Sequence, residues 1–428
     1  MHDMIQKLFA RDWFRFCAFI ALFGMVLLAV QGLFFVDAGN NDISGQTPMW
    51  QEYYRQPPGS IEVALIGSSH GYNAFDTQVI NQLLGLNSIK MGTGSESIIQ
   101  TEIEIEELCK THSPAAIVVE GYSFQHELSE NSYLKTINSI NNGRIPLQFL
   151  LTNPNLYLGN LSPLIREHYL WKNIDRLFKR FQQNARLPSP SVQAQAEREL
   201  EWSTESDLIE MDSYEQALGE TIKEFAAPAD FLAAGENIIK DRPCGPLLVV
   251  IRAPMIHAPF TYKVYGMEAF ETLFEKYAVP YLDFNTHPLF QGHPPIYYQN
   301  IHHVSHFGRV ITSVETARRL AELLGRPLDP DKLAYYRSYY FDSYRFEADG
   351  SQVTLTLSPS DSEASAGLQY KWILFKDGDQ IRETPYQAEP SVTFTADDPQ
   401  GKYKVQVEIK NPAGDYILDG ILSYPPGD

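Results

Sequence analysis

The chain has 428 residues, of which 44% are hydrophobic and 12% aromatic; this is enough apolar material for more than one buried core and excludes an intrinsically disordered protein. A formal net charge of −19, without a Lys/Arg-rich run, excludes a nucleic-acid partner, since phosphate binding needs a basic footprint. Three cysteines, Cys17, Cys109 and Cys244, are too few for a disulfide scaffold, but they leave a Cys109–Cys244 bridge open outside the cytoplasm.

The N-terminal segment carries the signals of a membrane anchor. Residues 16–36 contain no charge and one strongly polar residue, Gln31, over about the 20 residues that a bilayer core requires. Basic residues precede this segment and acidic residues follow it, so the positive-inside bias predicts a cytoplasmic N-terminus at 1–15 and extracytoplasmic domains beyond. A cleaved signal peptide is the alternative, because residues 36–38 loosely fit a cleavage site, although the apolar segment exceeds the usual ~7–15 residues.

After a predicted linker at 37–57, strand-like and helix-like segments alternate. The apolar run at 61–67 indicates a buried parallel strand, and the alternation predicts an α/β domain over 58–326 with a mostly parallel sheet and helices on both faces. Between about 123 and 240 the pattern is long and mostly helical. We interpret this stretch as a helical insertion in the domain.

The last segment, 346–428, alternates polar and apolar residues at period two between turn sequences, which predicts a separate β-sandwich. Trp372 and Tyr403 resemble the core tryptophan and the tyrosine corner of immunoglobulin-like domains. Val405 occupies the place of the second cysteine of antibody domains, which excludes their inter-sheet disulfide. Residues 327–345 are the predicted hinge between the two domains.

Residues 67–71, Gly-Ser-Ser-His-Gly, follow the first predicted strand. Open α/β sheets place their sites at the carboxyl ends of strands, and the five residues match the G-x-S-x-G pattern of a nucleophile elbow. A serine becomes a nucleophile when a base lies within hydrogen-bond reach and backbone N–H groups await the oxyanion. An ordinary strand-to-helix turn with a serine cap gives the same pattern.

A second block, residues 298–308, contains three histidines before the last predicted helix. Together the two blocks resemble the SGNH/GDSL esterase and acyltransferase family, which has a flavodoxin-type sheet, a G-D-S or G-S-S block after the first strand and a D-x-x-H block before the final helix. The resemblance implies that Ser69 is the nucleophile and His303 the catalytic base. It also implies an oxyanion hole made by the backbone of Ser69, Gly92 and Gly94.

Two positions depart from the family pattern. Asn300 stands in place of the family's aspartate, so the residue that would orient and stabilise the imidazolium is neutral. The family's third-block asparagine has no counterpart near Glu120. Three readings stay open: Asn300 or a backbone carbonyl orients the ring, Asp283 or another acid replaces the missing one, or the site is catalytically silent.

The histidines also suggest a zinc site. His302, His303 and His306, with His293 or His70, could supply imidazole ligands, but the sequence has no HExxH or comparable motif. The turn at 92–97 lacks the lysine of a phosphate-binding loop. The sequence therefore predicts neither a metal nor a cofactor.

Within the family, one N-terminal anchor, a G-S-S block and a long insertion look like the extracytoplasmic proteins of D-alanyl-lipoteichoic-acid biosynthesis and alginate O-acetylation. This resemblance implies acyl (acetyl) transfer to a cell-surface polysaccharide or exopolysaccharide at a bacterial inner or cell membrane, through a Ser-His acyl-enzyme. It implies two partners, the polysaccharide and a multi-pass membrane O-acyltransferase. The alternatives are a carbohydrate esterase or deacetylase with the same residues, and a silent polymer-binding or assembly protein.

Overall fold

The computed structural model describes residues 17–27, 47–129, 132–133, 136, 140, 224–256, 264–292, 294–300, 302–349, 351–377, 379–396, 403–414 and 416–424. The predicted cytoplasmic segment 1–15, part of the predicted anchor 16–36, most of the predicted insertion and His293 lie outside these residues. Residues 17–27 are helical. Among the described residues, no helix combines the length and the apolar character needed to cross a membrane.

The chain divides into two compact units. One comprises Met1–Thr47 and Leu134–Gln195, and the other comprises Pro48–Tyr133 and Ala196–Asp428. The strands and helices described below belong to the second unit, except for Thr47 at the start of the first helix.

The first part of this unit is an α/β domain. In chain order its elements are α1 (Thr47–Arg55), β1 (Val63–Gly67), α2 (Ser69–Ala74), α3 (Thr77–Leu84), β2 (Ser88–Gly92), α4 (Ile98–Cys109), β3 (Ala116–Glu120), α5 (Tyr122–Gln125), β4 (Glu224–Phe225), α6 (Ala229–Lys240), β5 (Leu247–Arg252), β6 (Val264–Tyr265), α7 (Glu268–Lys276), β7 (Tyr281–Asp283), three short 3₁₀ turns (Phe284–Thr286, Pro288–Phe290, Pro295–Tyr297) and α8 (His306–Leu324).

Five parallel strands form the main sheet in the order β2-β1-β3-β5-β7. Counted along the sheet this is the 2-1-3-4-5 order of flavodoxin-like doubly wound domains. Every residue of β1 and β3 is buried; alternate residues, such as Val63 and Leu65, join the core beneath α3 and α8, and those between them point the other way. A strand buried on both faces reads as a continuous apolar run, so the α/β prediction is confirmed.

The C-terminal region contains a helix and two antiparallel sheets. Its elements are α9 (Pro330–Arg337), β8 (Phe341–Asp349), β9 (Gln352–Pro359), β10 (Gln369–Lys376), β11 (Asp379–Glu383), β12 (Ser391–Thr395), β13 (Tyr403–Lys410) and β14 (Ile417–Tyr424). The sheets have the orders β11-β10-β13-β14 and β12-β9-β8. Trp372 and Tyr403, singled out in the sequence, are both buried in the shared core. The predicted β-rich region is therefore present, although its first strand begins at Phe341 rather than 346.

The predicted linker at 37–57 contains a helix, α1. Trp50 and Tyr53 lie one turn apart on one face of α1 and are almost fully buried. The Tyr53 hydroxyl donates to the Glu107 carbonyl at 3.0 Å. The polar residues between the aromatic ones gave the segment the composition of a linker, whereas its helical spacing gives it one apolar face.

The predicted hinge at 327–345 is a packed joint. Within it α9 is followed by a short turn and the start of β8, and Tyr336 and Tyr339 are fully buried. The Tyr339 hydroxyl donates to the Tyr416 carbonyl at 2.9 Å and accepts from the Asn411 N–H at 2.8 Å. Buried tyrosines combine ring packing with a satisfied hydroxyl, so these rings join the α/β domain to the antiparallel sheets.

A disulfide joins Cys109 to Cys244, with a Cα–Cα distance of 5.3 Å. It connects the end of α4 to the loop before β5, and it resolves the question that the sequence left open.

Candidate active site

The candidate site lies at the carboxyl edge of the main sheet. Here β1 ends at Gly67 and β3 at Glu120, while β2, between Ser88 and Gly92, ends beside β1. In open α/β sheets ligands bind outside the carboxyl ends of the strands, where the strand order reverses. The 2-1-3 part of the sheet, with β1 at its centre, is such a reversal.

Two glycines let the strand ends approach closely. A Cβ at Gly92, whose φ is +145°, would collide with the Gly67 carbonyl oxygen, and a Cβ at Gly67 would collide with the Glu120 side chain. Neither position therefore accepts a larger residue without moving the backbone. The turn after Gly67 is held directly against Glu120.

Ser69 is the first residue of α2. Ser68 caps this helix, because its Oγ accepts the His70 N–H at 3.2 Å. Ser68 and His70 are buried, whereas Ser69 is half-buried. The Ser69 Oγ lies 2.9 Å from the His303 Nε2, which is hydrogen-bond distance for a nucleophile and its base. The structure thus brings these two predicted residues together.

His303 lies on a short loop before α8. The Asn300 Oδ1 accepts the backbone N–H groups of His302 and His303, both at 2.9 Å. The Gln299 N–H donates to the His303 carbonyl at 2.9 Å. Asn300 therefore fixes the loop that carries the base, through the backbone rather than through the imidazole ring.

The loop is closed at α8 by two further residues of the second block. Ser305 is the N-cap of α8 and accepts the Gly308 N–H at 3.3 Å. A Cβ at Gly308 would collide with the Tyr297 carbonyl oxygen. The glycine is thus needed where α8 passes close to the preceding turn, which keeps His303 at its position.

Asp283, the other acid considered for His303, has different partners. Its carboxylate accepts from Arg252 at 3.3 Å, and from the Asn285 N–H and side-chain amide, each at 2.8 Å. Within the described part of the chain, no carboxylate is hydrogen-bonded to His303. Burial, together with the neighbouring His302, lowers the pKa of His303 to about 3. The ring is neutral at physiological pH and its Nε2 can accept a proton from Ser69.

The turn after β2 holds the predicted oxyanion residues Gly92 and Gly94. The Thr93 N–H donates to the Glu96 Oε2 at 2.8 Å and to the Gly67 carbonyl at 3.3 Å. The Gly94 carbonyl accepts from the Ser132 hydroxyl at 2.8 Å. These bonds fix the turn beside the end of β1, while the oxyanion role of its N–H groups stays a prediction.

Behind Ser69, the side chains of Glu120, Ser68 and His70 form a hydrogen-bonded chain. The Ser68 hydroxyl donates to the Glu120 Oε2 at 2.9 Å, and the His70 Nδ1 is 3.3 Å from the same hydroxyl. The His70 ring centroid lies 5.1 Å from that of His303 and 4.1 Å from that of Tyr122. The His70 Nε2 is buried and has no hydrogen-bond partner among the described residues.

Glu120 is fully buried at the end of β3. Its Oε1 accepts the Tyr122 N–H at 2.8 Å and the Ala253 N–H at 3.4 Å. Burial raises the pKa of Glu120 to about 7, against the opposing effects of these hydrogen bonds and of the Arg252 charge. Sequence reasoning treated Glu120 only as a departure from the family pattern. A carboxylate at the end of a buried apolar strand is unusual in itself, and that signal could have marked it.

In the portion of the chain that the structure describes, no group of three or more His, Cys, Asp or Glu side chains is arranged to hold a metal ion.

No family model matches the chain, and no curated protein matches it. Among solved structures, the chain is similar to domains d3–d4 of the rat CD45 extracellular region, with 15% identity and a TM-score of 0.16. The match covers 19% of this chain and 46% of that chain, so it spans less than half of the matched chain's length.

Proposed function

We propose that the chain transfers an acyl group, of which acetyl is the simplest, to a cell-surface polysaccharide or exopolysaccharide through an acyl-enzyme at Ser69. The observation that carries the proposal is the 2.9 Å contact between the Ser69 Oγ and the His303 Nε2. It lies at the carboxyl edge of a 2-1-3-4-5 sheet, and both residues belong to the blocks that resemble the SGNH/GDSL family. The α/β domain is accordingly proposed to be SGNH-like.

The mechanism has two transfers. The Ser69 Oγ attacks the acyl carbonyl carbon while the His303 Nε2 takes its proton, and the resulting oxyanion is held by N–H groups of Ser69, Gly92 and Gly94. The tetrahedral intermediate then expels the donor's alcohol or thiol, which receives the proton from His303. A sugar hydroxyl next gives its proton to His303 and attacks the carbonyl carbon of the acyl-Ser69 ester. The bond from that carbon to the Ser69 Oγ then breaks, the Oγ takes the proton back from His303, and the acylated sugar leaves.

Two further features support an extracytoplasmic setting. The Cys109–Cys244 disulfide fits an oxidising compartment, because such bonds rarely persist in the cytosol. The uncharged segment at 16–36 is proposed to anchor the chain in a bacterial inner or cell membrane. The two antiparallel sheets are proposed to form an immunoglobulin-like domain that holds the polymer or the multi-pass O-acyltransferase that supplies the acyl group.

A second candidate is a silent polymer-binding protein. It is favoured by one observation, the absence of a described carboxylate hydrogen-bonded to His303. Replacing the triad acid lowers kcat by about 10⁴ in a serine protease.

Covalent labelling separates the two candidates. The full-length chain in mild detergent is treated with a fluorophosphonate, and Ser69→Ala and His303→Ala are compared with Ser360→Ala, a control serine that is exposed in the C-terminal region. Acyl transfer predicts labelling of wild type and of the control, none of Ser69→Ala and strongly slowed labelling of His303→Ala. Wild type that stays unlabelled favours the binding protein.

The acceptor is identified with p-nitrophenyl acetate as donor. An O-acetylated sugar that forms when an oligosaccharide is added, with faster release of p-nitrophenol, supports the transferase. Acetate as the sole product with every oligosaccharide tested supports an esterase or deacetylase that uses the same residues.

A further inference from the structure

In the proposed reaction, the positive charge that forms on His303 has no hydrogen-bonded carboxylate among the described residues. When His303 accepts the proton of Ser69, its ring becomes positive in a site that already disfavours the protonated form. In serine hydrolases a buried carboxylate stabilises this imidazolium. Here Asn300 bonds to backbone N–H groups, and Asp283 bonds to Arg252 and Asn285.

Glu120 is a buried carboxylate close to the pair. It is connected to the site by two short steps, from its Oε2 to the Ser68 hydroxyl at 2.9 Å and from that hydroxyl to the His70 Nδ1 at 3.3 Å. His70 then faces His303 with ring centroids 5.1 Å apart. The side chains of Glu120, Ser68 and His70 are all buried, so water does not screen the charge of Glu120.

The protons along this chain can be arranged in two ways. When Glu120 is ionised, the Ser68 hydroxyl donates to it, so His70 must donate its Nδ1–H to Ser68 and its Nε2 carries no proton. When Glu120 is protonated, it donates to the Ser68 hydroxyl, Ser68 donates to the His70 Nδ1, and the proton of His70 is on its Nε2. The ionisation of Glu120 thereby selects the tautomer of His70, because each hydrogen bond can hold only one proton.

The groups around Glu120, Ser68 and His70 determine the pH at which Glu120 ionises. Burial favours the neutral acid, while the Tyr122 N–H, the Ser68 hydroxyl, the Ala253 N–H and the Arg252 charge favour the carboxylate. The other titratable groups facing Glu120 or His70 are Glu96 on the turn after β2, Tyr122 and His126 at α5, and His302 and His303 on the loop before α8.

We infer that Glu120, acting through Ser68 and His70, is the positioning acid of the Ser69–His303 pair and replaces the carboxylate that is missing at Asn300. This inference rests on the proposed function. Ionised Glu120 fixes His70 in one tautomer beside His303 and supplies the negative charge that stabilises the His303 imidazolium.

The first test is the pH dependence of p-nitrophenyl acetate turnover by the full-length chain. Wild type gains activity as pH rises through about 7, the range in which Glu120 ionises. Glu120→Gln keeps an acceptor for Tyr122 and Ala253 but cannot ionise, so it loses this rise and is about tenfold slower at alkaline pH. The matched control is Glu107→Gln, a buried acid that contacts Tyr53 and Tyr54 of α1; it keeps the wild-type profile.

The second test needs no activity. Nitrogen-15 NMR of histidine-labelled wild type reports which ring nitrogen of His70 carries the proton. We expect the tautomer to change over the same pH range as the activity, and Glu120→Gln to hold a single tautomer throughout.

The two tests separate this inference from the proposed function. If wild type is not labelled by fluorophosphonate, the proposed acyl-enzyme is refuted. The link from Glu120 through Ser68 to His70 is then tested by the pH dependence of the His70 tautomer alone. A single His70 tautomer across the pH range, or a Glu120→Gln variant with the wild-type rate and profile, overturns the inference. A rise in activity that coincides with the tautomer change, both lost in Glu120→Gln, supports it.

Discussion

Ser69 and His303 are 234 residues apart in the chain and 2.9 Å apart in the fold. Their pairing follows from local sequence at both ends. A glycine-bounded turn after an apolar strand presents the serine, and an asparagine-held loop before a capped helix presents the histidine. The sequence nominated both residues through the resemblance of the two blocks to the SGNH/GDSL family, since the five-residue pattern around Ser69 also fits an ordinary capped turn.

Asn300 is expected to control the placement of His303. Asn300→Ala removes the acceptor of two backbone N–H groups, which costs about 1 kcal/mol or more of stability and lowers the fluorophosphonate rate at least about tenfold, because the base is no longer fixed. Asn300→Asp keeps the acceptor and adds a negative charge near His303, so it retains the wild-type rate or exceeds it. Equal rates for all three proteins would contradict this role.

The buried ionisable groups predict a stability maximum at mildly acidic pH. Burial lowers the pKa of His303 and His306 to about 3 and raises the pKa of Glu96 to about 8. A histidine buried in its neutral form costs stability as pH falls below its unfolded pKa of about 6.5. A glutamate with a raised pKa contributes stability below its unfolded pKa, about 4.3, which is lost as pH rises through about 8.

Urea unfolding measures this dependence. Between about pH 4.3 and 6.5 the gain from the two histidines outweighs the loss from Glu96, and above about pH 6.5 only the loss from Glu96 remains among these three groups. The free energy of unfolding should therefore be greatest near pH 6.5 and should decline from there to about pH 8. Glu96→Gln, which cannot ionise, should show a smaller decline over that range than wild type. A decline of equal size in both proteins would exclude Glu96 as its source.

Among the elements, α2 is the one on which the site depends most. Its last carbonyl groups are held by cationic side chains: the Lys90 Nζ donates to the Tyr72 and Phe75 carbonyls at 3.1 and 3.0 Å, and the Arg309 Nε donates to the Asn73 carbonyl at 2.6 Å. Cations at a helix C-terminus interact favourably with its dipole. This end of α2 is therefore fixed while Ser69 lies at the other end.

Replacing Lys90 by Met tests this attachment. The substitution keeps the apolar stem but leaves two carbonyls without their donor, at a cost of about 2 kcal/mol. We expect a lower free energy of unfolding and slower labelling of Ser69, measured on the same preparation. Unchanged labelling in a folded Lys90→Met chain would show that α2 holds its position without the lysine.

The disulfide acts at the same scale, since it ties α4 to the loop before β5. It joins residues 135 positions apart, and the chain-entropy account gives about 4–5 kcal/mol for a loop of that size. Cys109→Ser with Cys244→Ser should lower the midpoint of thermal unfolding and make it insensitive to reductant. A wild-type midpoint that does not change with reductant would contradict this contribution.

At the scale of the whole second unit, the α/β domain and the antiparallel sheets share one core. The Tyr416 hydroxyl donates to the Asp76 Oδ2 at 3.1 Å. A Cβ at Gly420 of β14 would collide with the Phe307 ring of α8. The sheets therefore pack directly on the helix that follows His303.

This packing predicts one cooperative unfolding transition for both parts. Gly420→Val should lower the transition temperature and slow the labelling of Ser69 together, because Phe307 and α8 must move. Scanning calorimetry with parallel labelling measures both effects. Two separated transitions, or a Gly420→Val chain that unfolds earlier but labels at the wild-type rate, would show that the parts are independent.

Sequence reasoning succeeded where the signal was periodic and local. The continuous apolar run of β1 predicts a strand buried on both faces, and the period-two alternation after Phe341 predicts strands with one buried face. It failed where the burial of a residue depends on distant partners. The segment of α1 was predicted to be a linker because the residues that bury Trp50 and Tyr53 come from elsewhere in the chain. The connection of Glu120 to Ser68 spans 52 residues and could not be read from either block.

The most direct measurement is intact-mass analysis of the full-length chain after fluorophosphonate treatment, with peptide mapping of the modified residue. The account predicts one adduct, on Ser69, that forms in wild type and Ser360→Ala, is absent in Ser69→Ala and is strongly slowed in His303→Ala. An adduct on another serine, or none under conditions that label a known serine esterase, would contradict an acyl-enzyme at this site.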